Sequence, residues 1–214
     1  IRVWGKYACF PRVDVKPEMI SYPIMTPTAA KGILDSIYWK PGMKWDVKKI
    51  ILMKESEMIP FMFNGVNVKS LSRTRSGYRP SDYHAEQRKM YVLYDVEYVI
   101  EAGIRIKLKK RGNFRKHYEI ARRRIKQGKS YYYPCLGQAQ FQANIEWLDK
   151  TPQSPVTGTR FVGPMFFKKY NDKYFENQNY SLMMRNNDFD FSYFNAVIED
   201  GVLDLEKVGQ QDAF

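Results

Sequence analysis

Two adjacent side chains, Lys116 and His117, carry the chemistry that this sequence most readily suggests. An imidazole changes charge near neutral pH, which suits it to moving a proton there. The ammonium beside it supplies fixed positive charge. The pair lies within residues 105–129, which hold twelve Lys or Arg and a single acid, Glu119, and so carry nearly all of the net charge of +12. Charge concentrated in this way marks a surface for a polyanion, and phosphate backbones are the usual polyanion.

A basic surface with a histidine in it suits RNA cleavage, because RNA carries its own nucleophile in the ribose 2′-OH. That hydroxyl must lose a proton, the crowded phosphorane needs compensating charge, and the leaving 5′-oxygen needs a proton. Positioned acid–base groups typically contribute about 10²–10⁴-fold, and a cation at the developing charge is often the larger part. His117 fits the first role and Lys116 the second. A phenol such as Tyr38 could orient the 2′-OH or join the proton transfer, although its ordinary pKa of about 10 makes it a poor base unless cations lower it. Neighbours on a helix diverge by about 100°. Lys116 and His117 therefore converge on one phosphate only at a helix entrance, where the helix end adds positive potential. The bland alternative is a capping or packing histidine. His84, in Ser81–Asp82–Tyr83–His84, is a second candidate and ranks below His117, since a loop histidine is more often simply solvated.

Composition agrees with a nucleic-acid partner. Sixteen tyrosines accompany the positive charge, and aromatic faces stack on unpaired bases while Lys and Arg hold phosphates. Cys9 and Cys135 offer no disulfide framework, which suggests a reducing, cytoplasmic setting. With two His and two Cys at 9, 84, 117 and 135, the paired spacing of zinc modules is missing, so neither a metal nor another cofactor is expected. No apolar run has the length of a membrane span, and the opening Ile1–Trp4 reads as a strand rather than a targeting segment.

The elements that must position these residues follow from periodicity. Residues 1–10 predict a strand. Thr26–Pro27 then opens a helix whose stripe is Ala30, Ile33, Leu34 and Ile37, and which must stop before Pro41–Gly42, leaving Tyr38 at its end. Residues 47–60 predict one strand, and 64–90 a long basic loop. A second strand, 91–109, carries a bend at Gly103 and presents Arg105, Lys107 and Lys109 on its exposed face. Lys110 and Arg111 belong to the loop that follows. A helix over 115–127 buries the stripe Phe114, Tyr118, Ala121 and Ile125, with Gly128 as its C-cap. It carries Arg115 and, on the opposite side, Arg122, Arg123 and Lys126. These cations are the expected RNA contacts. A strand at 139–147 completes β-α-β-β-α-β, so the fold class is α+β: a ferredoxin-like, RRM-like domain over 1–148. Short aromatic segments over 149–214 predict a small antiparallel β-sheet domain.

Ile20–Pro41 (ISYPIMTPTAAKGILDSIYWKP), after Val3–Phe10 (VWGKYACF), resembles the opening of a CRISPR-associated family. This is the Cas-five family in its type I-C (d) form, within the RAMP superfamily. The likeness resumes at Tyr94–Val99 (YDVEYV) and Lys116–His117–Tyr118, and more faintly at Phe191–Leu203 (FSYFNAVIEDGVL). The resemblance implies a ferredoxin-like domain with a small β-sheet domain. It implies a metal-independent endoribonuclease that cuts the repeat hairpin of precursor CRISPR RNA. Such a protein then keeps the 5′ handle of the mature guide, beside the other subunits of a type I-C CRISPR surveillance complex. It also implies Tyr38, Lys116 and His117 as the catalytic residues. One departure is that Tyr133–Gln138, near the last ferredoxin strand, has a single glycine where the superfamily often carries a glycine-rich loop.

Two other readings stay open. A non-catalytic RNA-binding subunit accounts equally well for the charge and the aromatics, and makes His117 incidental. Duplex DNA binding is the weaker, since phosphate contacts do not distinguish nucleic acids.

Overall fold

The computed structural model describes residues 1–12, 14–15, 18–67, 84–106, 114–169 and 190–208. Strand β1 (Arg2–Ala8) leads to a two-residue strand β2 (Met19–Ile20) and helix α1 (Pro27–Ile37). Strands β3 (Met43–Leu52), β4 (Glu57–Asn67) and β5 (His84–Ile106) precede helix α2 (Phe114–Lys126) and strand β6 (Asn144–Glu146). Strands β7 (Thr159–Lys169), β8 (Asp190–Glu199) and β9 (Val202–Asp204), with a one-turn helix α3 (Leu205–Val208), follow.

Strands β6, β1, β5 and β3 lie side by side in that order, each neighbouring pair antiparallel. With α1 between β1 and β3, and α2 between β5 and β6, this is the expected ferredoxin-like arrangement. The antiparallel strands expected beyond 149 are β7, β8 and β9, and β9 pairs with β3, so the sheet continues as β6-β1-β5-β3-β9-β8-β7. Between β8 and β9, Asp200 and Gly201 both take positive φ (46° and 71°), the turn that matches the twist of a tight hairpin.

Helix α1 forms as its residues dictate. The Thr26 side chain accepts from the Ala29 N–H at 3.3 Å, Pro27 fills the first turn, and Ala30, Ile33, Leu34 and Ile37 are buried. They share one core with Val3, Ile50, Val92 and Ile100 of the sheet.

Several expectations need correction. Residues 47–60 are not one strand, because β3 ends at Leu52 and β4 starts at Glu57. The loop expected over 64–90 is also too long: 64–67 continue β4 and 84–90 begin β5, while 68–83 lie outside the described residues. The physical cause is at Asp95, whose φ of 56° lets β5 change partner, from β4 up to Tyr94 to β3 from Tyr98 onward. Lys54 pairs with the Asp95 carboxylate and the Ser56 hydroxyl bonds its carbonyl at 3.5 Å, so polar residues hold the bend without Gly or Pro. The irregularity expected at Gly103 falls on the partner strand, between Val47 and Lys49. Within 139–147 only Asn144–Glu146 is strand. In α2 only Ala121 and Ile125 are buried. Phe114 and Tyr118 stay exposed: they stack on each other with ring centres 6.2 Å apart, and Tyr118 meets Trp147 edge-on at 5.5 Å instead of entering the core. Among the described residues, no helix is long and apolar enough to cross a membrane.

Candidate active site

Tyr38 is the residue at which α1 stops. Its backbone leaves the helix in an extended conformation, with φ −153° and ψ 118°. Every polar group on it has a partner. Its N–H bonds to the Leu34 carbonyl at 3.0 Å, and its carbonyl accepts from the Trp45 indole at 2.8 Å. Its hydroxyl lies 2.8 Å from His117 Nδ1. The side chain is 3 % exposed. Arg124 completes the enclosure: its guanidinium lies 5.6 Å from the Tyr38 ring centre and donates to the Ile37 carbonyl at 2.8 Å. That bond satisfies one of the carbonyls left over at the end of α1.

Lys116 and His117 are the third and fourth residues of α2, in its first turn. Despite their angular separation, both line one cavity of about 540 Å³, together with Tyr38 and Lys40. Pro41, Gly42, Met43, Ile106 and Ile120 form its apolar walls. The side chains that meet here come from the C-terminal end of α1, the segment entering β3, the end of β5 and the first half of α2. Lys116 is exposed and His117 half-buried, so one cation and one imidazole are open to a ligand while the phenol supports them from within. Burial raises the Tyr38 pKa above its ordinary value, and the positive charge of Arg124 works against that rise. A phenol in this state keeps its proton at neutral pH, and a neutral hydroxyl can both donate and accept. The cysteines take no part: both are free, and burial pushes the Cys9 thiol up to about 11.

The other expected residues are placed as follows. His84 opens β5 whereas Ile106, at the cavity, closes it, so the second candidate histidine stands at the opposite end of that strand. Arg105 binds Asp46 on β3 at 2.7–2.8 Å. Arg122 binds Asp149 at 3.2 Å and lies 5.9 Å from the Trp147 ring centre. Exposed ion pairs of this kind are individually weak, so a phosphate can compete for either arginine. Arg115, Arg123 and Lys126 are exposed along α2. Lys107, Lys109, Lys110 and Arg111 lie outside the described residues. Arg124 is the site residue that the sequence reading missed. It follows His117 by seven residues, two helical turns, and so returns to the same face. That spacing was the available signal.

Comparison with known proteins places the chain among relatives. The family model Cas_Cas5d, described as "CRISPR-associated protein (Cas_Cas5)", matches residues 1–206. A protein of Mannheimia succiniciproducens named CRISPR pre-crRNA endoribonuclease Cas5d is 31 % identical over 222 residues, covering 96 % of this chain and 93 % of its own. A protein of the same name from Thermus thermophilus is 34 % identical over 170 residues, covering 78 % of this chain and 71 % of its own. Among solved structures, one described as a CRISPR-associated protein superposes with a TM-score of 0.65 at 19 % identity, covering 95 % of this chain and 88 % of the other. The functionally uncharacterised SMU1763c from Streptococcus mutans gives 0.64 at 20 % identity, covering 95 % and 89 %. At such identities these two structures speak for the fold alone.

Proposed function

We propose a function from one premise: this chain belongs to the Cas5d family of CRISPR-associated proteins. It is an endoribonuclease that processes precursor CRISPR RNA. It cuts at the repeat hairpin by 2′-OH attack, leaves a 5′-hydroxyl and a 2′,3′-cyclic phosphate, and requires no metal. The observation that carries this reading is the 2.8 Å contact between the Tyr38 hydroxyl and His117 Nδ1, in the cavity that Lys116 also lines.

The contact fixes the imidazole and leaves Nε2 for the RNA. When the phenol accepts from Nδ1–H, Nε2 is unprotonated and takes the proton of the 2′-OH. When the ring is the imidazolium, both nitrogens carry protons: the phenol again accepts from Nδ1–H, and Nε2–H gives its proton to the leaving 5′-oxygen, leaving neutral imidazole. One hydrogen bond serves either role. Lys116 places its ammonium where the phosphorane gathers negative charge. Tyr38 is the positioning partner of His117, and Arg124 holds Tyr38.

The basic residues Arg115, Arg122, Arg123 and Lys126 of α2 and Arg105 of β5 grip the flanking phosphates, together with Lys107, Lys109, Lys110 and Arg111, whose place is known from the sequence alone. The ferredoxin-like part, 1–148, does the cutting, and 149–214 serves as a brace. After cleavage the protein keeps the 5′ handle, within a type I-C surveillance complex in the cytoplasm. Duplex DNA has a secondary affinity for the same residues, which excess RNA competes away.

The test is cleavage of repeat RNA in excess EDTA. Cutting persists there, and stops when a single 2′-deoxy nucleotide stands at the cut. A requirement for added Mg²⁺ would sink the metal-free route, and unchanged cutting by both Lys116→Ala and His117→Ala would reject the assignment of these two residues.

A further inference from the structure

Three consecutive tyrosines follow α2, and all point away from the core: Tyr131, Tyr132 and Tyr133 are 80 %, 63 % and 82 % exposed. Isolated exposed aromatics need no explanation, but a contiguous run of them marks an interaction surface. The backbone beneath them is not loose. The Tyr131 N–H bonds to the Ser36 carbonyl at 2.7 Å, the Pro134 carbonyl accepts from Ala143 at 2.9 Å, and the Leu136 carbonyl accepts from Cys9 at 3.0 Å. Gly137 seals the end of the segment, since an added Cβ there would fall 1.8 Å from the Cys9 carbonyl oxygen. Rigid backbone and open rings together describe a surface built in advance of its ligand.

Tyr132 and Tyr133 also border a groove of about 410 Å³ along α1, with Thr28, Ala29, Gly32 and Ser36 on its helical side. Apart from the buried Ile33, the residues on that side are small, and an added Cβ on Gly32 would meet nothing within 4 Å. The volume lies in the range of small-ligand pockets, roughly 300–1,000 Å³. That volume is enough for a planar ring, and Thr28 brings a hydroxyl to the lining. Ser36 is two residues before Tyr38, about 3 Å of helical rise, so the groove and the candidate active site share the last turn of α1. The exposed cations Arg123, Lys126 and Lys129 lead along the chain from α2 to the first tyrosine. Rings with cations beside them match a nucleic-acid strand, whose bases stack while its phosphates are held.

We propose that Tyr131–Tyr133 and this groove form a stacking subsite for an unpaired base in the single-stranded flank of the RNA that is cut, an inference resting on the RNA-processing reading above. Tyr132 and Tyr133 supply the faces. Tyr131, edge-on to Tyr132 with ring centres 4.8 Å apart, holds the second ring upright.

The experiment compares two RNAs on the full chain: a repeat stem–loop with its single-stranded flanks, and the same molecule with abasic flanks, which keeps every phosphate. The intact chain binds the first about tenfold more tightly, the scale of one stacked base. Tyr132→Ala/Tyr133→Ala abolishes that preference, and Tyr132→Phe/Tyr133→Phe keeps it. Gly32→Leu, which blocks the groove while favouring the helix, reduces it. An alanine pair that keeps the full preference overturns the proposal, as does one that weakens both RNAs equally. An intact chain that shows the preference without cutting the stem–loop defeats the nuclease reading and leaves the subsite standing. One that cuts without the preference does the reverse.

Discussion

The protein uses tyrosine in two opposite ways on either side of one helix. At the end of α1, Tyr38 is buried, bonded through its hydroxyl to His117, and flanked by Arg124. Across the last turn, Tyr131–Tyr133 hang from a pinned backbone with their rings in water. In the first case the useful atom is the hydroxyl, and in the second it is the ring face. Burial decides between them: a buried phenol must find a hydrogen-bond partner, whereas an exposed ring offers area.

This contrast can be broken experimentally. The largest effect belongs to His117→Ala, which lowers single-turnover cleavage by about 10²–10⁴-fold with RNA affinity unchanged. Lys116→Ala follows, with about 10²–10³-fold lost from the same rate, the scale of one lost charge stabiliser. Tyr38→Phe removes only an oxygen, yet reduces cleavage by about 10–100-fold, because Nδ1 loses its partner. The same exchange at Tyr132 and Tyr133 changes neither rate nor affinity. Equal sensitivity at 38 and at 132–133 would erase the distinction. Arg123→Gln with Lys126→Gln weakens binding across sequences and flattens the slope of log K against log salt by about one per lost phosphate contact, with little effect on the rate at saturation.

The smallest effect is on stability at alkaline pH. Folding raises the Tyr38 pKa, so the folded state holds that proton more tightly than the unfolded chain. The resulting stability is fully present below the ordinary tyrosine value of about 10 and is lost as pH rises through the folded value. Thermal melts of Tyr38→Phe therefore fall less steeply than those of the native chain above about pH 10. Parallel curves would show that the hydroxyl is not protected.

The legible parts of this molecule were those written in local code. Thr26–Pro27 and the stripe from Ala30 to Ile37 located α1 and left Tyr38 at its end. The crowding of cations around His117 pointed to the face of α2 that carries the site. What stayed hidden depended on residues distant in sequence. The break between β3 and β4 sits in Met53–Ser56, polar but without Gly or Pro, and the left-handed residue that makes it possible is Asp95, about forty positions away. The role of Arg124 was hidden because one more arginine in a basic helix carries no mark of the carbonyl it will bond. The exposure of Phe114 and Tyr118 was missed because periodicity shows which residues share a face, not how deeply each of them is covered.

The pairing of β9 with β3 gives the chain a timetable. Lys49, Ile50 and Ile51 find their outer neighbours only in Asp204, Leu203 and Val202. At about 5–20 residues per second, a ribosome takes on the order of 10–30 s to travel from one to the other. During that interval β3 presents an open edge, the kind of surface on which strands of other chains add. A message truncated before residue 202 would therefore release a protein with the residues of its candidate site already made and one flank of its sheet left open to aggregation.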